Sequence, residues 1–203
     1  MPLRYTARSF IAFRSLKTKM LHLKKSTLAL VLLAASGALS AAEIANNNIT
    51  EAEIKAAQDG WGAALIKISD DYRAGGIERA KETAESVLDS AYGYQQGPVL
   101  FKPTLAGGEQ TFRTNREGAL AYFVGNNSAY PADSGFALKN WQSYRYDNAA
   151  VYINGDMALT MGKVHLVDRD NKETTVDKTW GFKKGDDGKV RIVLHHSSLP
   201  YEG

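Results

Sequence analysis

Ala150-Val151-Tyr152-Ile153-Asn154-Gly155-Asp156-Met157-Ala158-Leu159-Thr160 is the stretch that decides the fold. Two runs of strand-forming residues meet at Asn154-Gly155, the dipeptide best suited to the two-residue hairpin turn whose central positions both need positive φ. Working outward, the period-two pattern predicts four strands, over 142–153, 157–167, 173–183 and 189–198. Their turns fall at Asn154-Gly155, Asp168–Asn171 and Gly185–Gly188, so the second half reads as an antiparallel meander with short loops.

Upstream the period changes. Thr50 and Glu53 form a capping box. Ile54, Ala57, Trp61, Ala64, Leu65, Ile68 and Tyr72 then recur at helical spacing. Gly75-Gly76 stops this helix, and a second runs from about Ile77 to Tyr92 with Ala80, Ala84, Val87, Leu88 and Ala91 inward. After the Gly97-Pro98 break, 99–104 reads as a short strand ended by Pro103 and Gly107-Gly108. Thr114 and Glu117 suggest a second capping box, opening a short helix that carries Ala119, Leu120, Tyr122, Phe123 and Val124; 126–135 is a loop. Helices followed by a meander predict an α+β cone, a curved antiparallel sheet wrapped around N-terminal helices with a pocket at its open end.

Residues 1–42 have a different character. Lys24 and Lys25 precede the apolar run Leu28–Leu39, and Ser40-Ala41-Ala42 supplies the small residues of a cleavage site, placed before Glu43. The expected product is a single domain, 43–203, in the periplasm or outside the cell, free of the membrane once the signal is removed. The 19 residues before Met20 are basic; they are read either as lying ahead of the true start at Met20 or as an organelle-type extension. Seven of the chain's 25 Lys and Arg and none of its 22 Asp and Glu lie in 1–42, which leaves 18 bases against 22 acids, net −4, in the domain. No basic patch then points to nucleic acid. The absence of cysteine excludes disulfides, thiolate catalysis and Cys-ligated zinc.

The richest run in polar chemistry is Val193-Leu194-His195-His196-Ser197-Ser198-Leu199-Pro200-Tyr201, at the end of the last strand. Strict alternation puts His195 and Ser197 on one face with Arg191 and Val193, and His196 and Ser198 on the other with Ile192 and Leu194. Periodicity does not say which face is interior. Thr104, Tyr122 and Trp180 or Thr179 are candidates for the other walls of a pocket. Each also has a structural reading: Thr104 as a strand-end capper, Tyr122 as a core aromatic, the His-Ser run as partners for loop backbone.

The domain has three histidines, His165, His195 and His196. Adjacent strand residues point to opposite faces, so His195 and His196 cannot readily share one ion, and no HxH or HxxxH spacing exists. One His with carboxylates would favour a harder ion such as Mg²⁺ or Mn²⁺. There is no GxSxG elbow and no Gly-rich phosphate loop.

Leu194-His195-His196-Ser197-Ser198-Leu199-Pro200-Tyr201 resembles the signature ending of the iota-class carbonic anhydrases. Trp61-Gly62, Phe101-Lys102-Pro103-Thr104, Arg113-Thr114, Tyr122-Phe123 and Trp180-Gly181-Phe182 extend the resemblance over about 49–203. It implies a nuclear-transport-factor-2-like (cystatin-like) cone, related to the calcium/calmodulin-dependent kinase association domain, whose members associate through their sheets, often as dimers. It implies reversible hydration of CO₂ to bicarbonate in a pocket lined by Thr104, Tyr122, His195 and Ser197. Members of the family differ over metal. The poor donor geometry here favours no cofactor, the alternative being a divalent ion such as Zn or Mn.

The implied mechanism uses the hydroxyls of Tyr122, Thr104 and Ser197 to orient water and bicarbonate, His195 to accept or relay the proton, and Phe123 and Trp180 to hold CO₂ and exclude bulk water. Two other readings compete. The same cone can serve as a non-enzymatic binding or oligomerisation domain. A ketosteroid-isomerase-like enzyme would need an inward acid, for which Asp177 is the candidate.

Overall fold

The computed structural model describes residues 46–203. The signal segment, its cleavage point and the two readings of the N-terminus lie outside the described residues.

Helix α1 (Glu51–Ala91) opens on the expected capping box: the Glu53 backbone N–H donates to Thr50 Oγ1, and the Thr50 N–H donates to Glu53 Oε2 at 2.9 Å. It is broken into two limbs at Gly76, whose φ of 74° and ψ of −164° lie outside helical space and suit only glycine. Asp71 clasps the limbs together. Its carboxylate accepts from Lys67 Nζ on the first limb, and from Arg79 Nε at 3.0 Å and Thr83 Oγ1 at 2.6 Å on the second. The inward stripe is Ile54, Trp61, Leu65 and Ile68, continued by Ala80, Ala84 and Leu88. Tyr72, expected inward, is exposed because it lies at the break, where the stripe no longer faces the sheet.

Strand β1 is Leu100–Lys102 and helix α2 is Arg116–Val124. The expected Thr114–Glu117 capping box is not formed. Asn115 is the N-cap, accepting from Gly118 N–H at 2.8 Å, while Glu117 accepts from Asn127. A single 3-10 turn (Phe136–Leu138) closes the loop that follows α2.

The meander is as read: β2 (Trp141–Asn154), β3 (Met157–Asp168), β4 (Glu173–Lys184) and β5 (Val190–Ser198). The sheet order is β1-β5-β4-β3-β2, antiparallel except that β1 runs parallel to β5 with Phe101 opposite His195. The end of α1 docks on the same strand, through Gly93 N–H to the Ile192 carbonyl at 2.9 Å. The inner face of the sheet and α1 enclose a core rich in aromatic rings, including Trp61, Tyr92, Phe101, Phe123, Trp180 and Phe182. Gly62 lets the sheet come close: a Cβ there would lie 2.1 Å from the Tyr144 ring.

Alternation along β5 is not strict. Gly181 pairs with Leu194 but Phe182 pairs with Ile192, so Val193 is an extra residue in a bulge. Ile192 is therefore turned inward with His195 and Ser197, and the assignment of Ile192 to the His196 face is corrected. The inward partner of His195 on the N-terminal side is Ile192, in place of Arg191 and Val193.

The Asp71 carboxyl is held down to about 2, first by the hydrogen bond from Lys67, then by Thr83. Its contribution is complete above the unfolded carboxyl pKa of about 4 and is lost as the pH falls through about 2. Asp71→Asn is expected to cost about 1–3 kcal/mol in urea unfolding at neutral pH, and the difference from wild type should vanish in acid.

Candidate active site

Four elements converge on the inner face of β5. Strand β5 delivers His195 and Ser197 inward, 2 % and 1 % exposed, while His196 is exposed on the opposite face. Just beyond β1, Pro103 ends the strand, and the Thr104 hydroxyl lies 2.6 Å from Ser197 Oγ. Helix α2 contributes Tyr122 and Phe123. The Tyr122 ring meets Phe101 edge-on at 5.7 Å, and its buried hydroxyl faces Thr104 and the Leu105 backbone without completing a hydrogen bond. Burial raises its pKa, so it is a neutral donor. Phe123 stacks on Phe101 at 5.8 Å.

His195 lies under Phe101, ring on ring at 4.4 Å, with the edge of Trp61 at 5.6 Å. Both of its nitrogens are occupied. Nδ1 is 2.9 Å from Tyr92 Oη, which also accepts from Trp61 Nε1 at 3.0 Å; Nε2 is 2.7 Å from Lys178 Nζ. Burial, then the positive charge of Lys178, drives its pKa well below the usual imidazole value. Trp180 lies opposite His195 in the ladder and packs on Trp61 at 5.5 Å, with its own Nε1 unpartnered. The sequence-derived set is thus brought together in two layers. Thr104, Ser197 and Tyr122 form a cluster of hydroxyls; in the aromatic layer Phe123 stacks on Phe101, Phe101 on His195, and His195 packs against Trp180. Thr179, the alternative to Trp180, lies on the outer face opposite His196.

Two members were missed. Lys178 is 4 % exposed and sits inward between Val176 and Trp180. Alternation along β4 puts Lys178 on the same face as Trp180, but as pocket walls on that strand the sequence reading names only Trp180 and Thr179. Tyr92, fully buried, follows the last turn of α1, four residues beyond Leu88; continuing the stripe of Ala80, Ala84 and Leu88 by one step is the signal that could have found it. Asp177, the candidate inward acid, is turned to the outer face and paired with Lys163 at 2.6 Å, which removes the isomerase-like reading.

Among the described residues no group of three or more His, Asp or Glu is arranged to hold a metal ion. His195 and His196 point to opposite faces, and His165 is engaged on the sheet by Glu173 and Thr175 at 2.9 Å. The donors for a divalent ion are therefore not assembled.

Fold and site together define an α+β cone whose candidate site is built from hydroxyls, one neutral histidine and one lysine, set among aromatic rings. Residues 52–199 match the metal-independent carbonic anhydrase family, and the chain belongs to it. A metal-independent carbonic anhydrase from Nostoc sp. is 59 % identical over 159 residues, 78 % of each chain. The crystal structure of a cyanobacterial iota-carbonic anhydrase complexed with bicarbonate is 58 % identical, with a TM-score of 0.79, covering 80 % of this chain and 99 % of that one. A nuclear transport factor 2-like superfamily protein from Salmonella enterica is more distant, 15 % identical with a TM-score of 0.45, covering 74 % of this chain and 91 % of that one. Members of this family are metal-independent, and the absence of an assembled donor set among the described residues agrees with that.

Because burial holds its pKa well below the usual imidazole value, the His195 ring should be neutral at and above the ordinary imidazole midpoint of about 6.5. Its ¹⁵N resonances are expected to report a neutral ring there; an imidazolium signal at that pH would contradict this geometry.

Proposed function

We propose that this carbonic anhydrase hydrates CO₂ in the space bounded by Thr104, Tyr122 and Ser197, beside the aromatic layer that holds His195, Phe123 and Trp180. The observation that carries the reading is the Thr104–Ser197 hydroxyl pair at 2.6 Å beside the unsatisfied hydroxyl of Tyr122. A buried hydroxyl without a partner costs stability and is retained where a ligand completes it. That the 58 %-identical cyanobacterial enzyme holds bicarbonate supports a site of this polarity. Three hydroxyls suit an ion with three oxygens, each able to donate to the anion or accept from its remaining proton.

Without a metal, the attacking water keeps a pKa near 15.7, against about 7 when bound to zinc, so hydroxide is not made in advance. Proton removal must accompany attack on carbon. The hydroxyls fix water and CO₂ in attack geometry, and donors already in place for the anion stabilise it as charge develops. Phe123, Trp180 and the other rings keep bulk water out. His195 has both ring nitrogens engaged, by Tyr92 and Lys178, so it does not meet the water directly.

The working form is proposed to be a homodimer joined through the outer face of the sheet. Tyr152, Leu159, Gly181, Leu194 and Leu100 fall in one cross-strand row there, and Met161 follows in the next. Tyr152 and Met161 are more than 60 % exposed, an apolar stripe of the kind that proteins cover by association. Export to the periplasm or beyond, after cleavage before Glu43, is proposed from the N-terminal pattern.

Stopped-flow CO₂ hydration by residues 43–203 should survive exhaustive chelation; loss of activity restored by one added ion would move the mechanism to a metal. Tyr122→Phe should lower kcat/KM by about 100-fold. Its melting temperature should be unchanged or higher, because the deleted hydroxyl makes no hydrogen bond in the resting site. A fully active variant would remove Tyr122 from the site. Sedimentation should give a dimer, and Leu159→Lys should shift it to monomer; a monomeric wild type would sink the proposed association.

A further inference from the structure

Lys178 is the buried group that the hydration site leaves without a role. It rises from β4 directly opposite Ser197, so its stem starts beside the hydroxyl that pairs with Thr104. Its amine nitrogen lies 2.7 Å from His195 Nε2, 4.6 Å above the Trp61 ring and 5.4 Å from the Trp180 ring centre. Among the described residues no carboxylate comes within 4 Å of it. The groups that face it can be named element by element. Strand β5 presents His195, with His196 turned away on the other side; α1 presents Trp61, and Tyr92 beyond His195; β3 places Gly162 opposite it. Asp177 on its own strand is outward and held by Lys163.

An ammonium among rings, with no counter-ion, is costly, and two nearby ring faces recover only part of the lost hydration. Such a lysine is retained where the neutral amine has a use. With His195 protonated on Nδ1 and donating to Tyr92 Oη, a neutral amine donates one N–H to Nε2 and keeps its lone pair free. His195 is anchored from its other side by Tyr92, which Trp61 anchors in turn, so the imidazole holds the amine in one position.

We propose that Lys178, held by His195, takes the proton released when water adds to CO₂. This inference rests on the assignment of Thr104, Tyr122 and Ser197 to the hydration site. The water oxygen forms its bond to carbon while one O–H bond breaks, and that proton ends on the Lys178 lone pair. Neutral water, neutral CO₂ and neutral amine thereby become bicarbonate and ammonium in one pocket, with no net charge created there. The two charges stabilise each other where water cannot. When bicarbonate leaves, the ammonium again lacks a counter-ion and gives its proton to solvent, which resets the site. Burial lowers the Lys178 pKa to about 7, which suits a group that must both take and release a proton near neutrality. His195 in this scheme is a positioning residue.

The test is stopped-flow CO₂ hydration from about pH 5.5 to 9 on Lys178→Met, Lys178→Arg and Tyr122→Phe beside wild type. Wild-type kcat/KM should fall on the acid side through a titration near 7. Lys178→Met should lose about 100-fold or more in kcat, lose that acid limb, and regain rate with added small amines. Lys178→Arg, charged throughout, should be equally slow. If Lys178→Met keeps activity within about three-fold and an unchanged acid limb while Tyr122→Phe is inactive, the lysine proposal alone fails. If both variants are active, the hydration-site assignment fails with it. Should Lys178→Met not fold, ¹⁵N NMR of the wild-type amine decides. A midpoint near 7 that rises when bicarbonate is added supports the proposal; an ammonium that persists to about pH 9, or a midpoint that bicarbonate leaves unmoved, overturns it.

Discussion

The chain of hydrogen bonds from Trp61 through Tyr92 and His195 to Lys178 is the constraint on which the interior of this cone depends. It runs through α1, the turn after it, β5 and β4, so it fixes the helix against the sheet as well as the histidine against its neighbours. All four side chains are buried, and each bond strengthens in that low-dielectric interior. The same burial makes the chain intolerant of a missing member, because the partner left behind would be an unpaired polar group. A wholly apolar core could have stabilised the cone equally well. A polar thread through the aromatic core is therefore read as a functional expense, offset by the packing of the surrounding rings.

Two departures from regular structure give that chain its geometry. The break at Gly76 divides α1 into limbs that can each follow the curved sheet, and Asp71 sets the angle between them. The bulge at Val193 resets the alternation of β5, so that Ile192 seals the core below while His195 and Ser197 still face inward above. With β1 alongside in parallel, Phe101 covers His195, and Thr104 arrives beside Ser197 just after Pro103. The hydroxyl cluster is thus a product of strand pairing between segments about 90 residues apart. Its surroundings are aromatic throughout, which keeps water out and makes small differences in hydrogen bonding count.

The meander was legible because its signals are local: Asn154-Gly155 fixes a turn, and each strand alternates on either side of it. The capping box at Thr50–Glu53 was legible for the same reason. The second capping box was misread because Thr114 and Asn115 both suit an N-cap, and the choice between them depends on where α2 docks. His195, Ser197, Thr104 and Tyr122 came from their pattern together with family resemblance. Lys178 was missed because alternation leaves open which face of β4 is inward, and only the packed structure puts the face of Val176, Lys178 and Trp180 inside. Tyr92 continued the stripe of Ala80, Ala84 and Leu88, which marks it as inward but not as a partner of His195.

By itself the sequence determined the class of fold, the number and order of the strands, the exclusion of cysteine chemistry and the residue set from which a site could be built. These follow from propensity and periodicity, which act over a few residues. Only the tertiary structure decided that β1 lies parallel to β5, that Ile192 turns inward, that Asp177 faces out, and that Lys178 and Tyr92 close on the two nitrogens of His195. Those outcomes depend on which distant segments share a low-dielectric interior and which polar atoms must satisfy one another there. Such satisfaction is a property of the packed whole, and no stretch of chain encodes it alone.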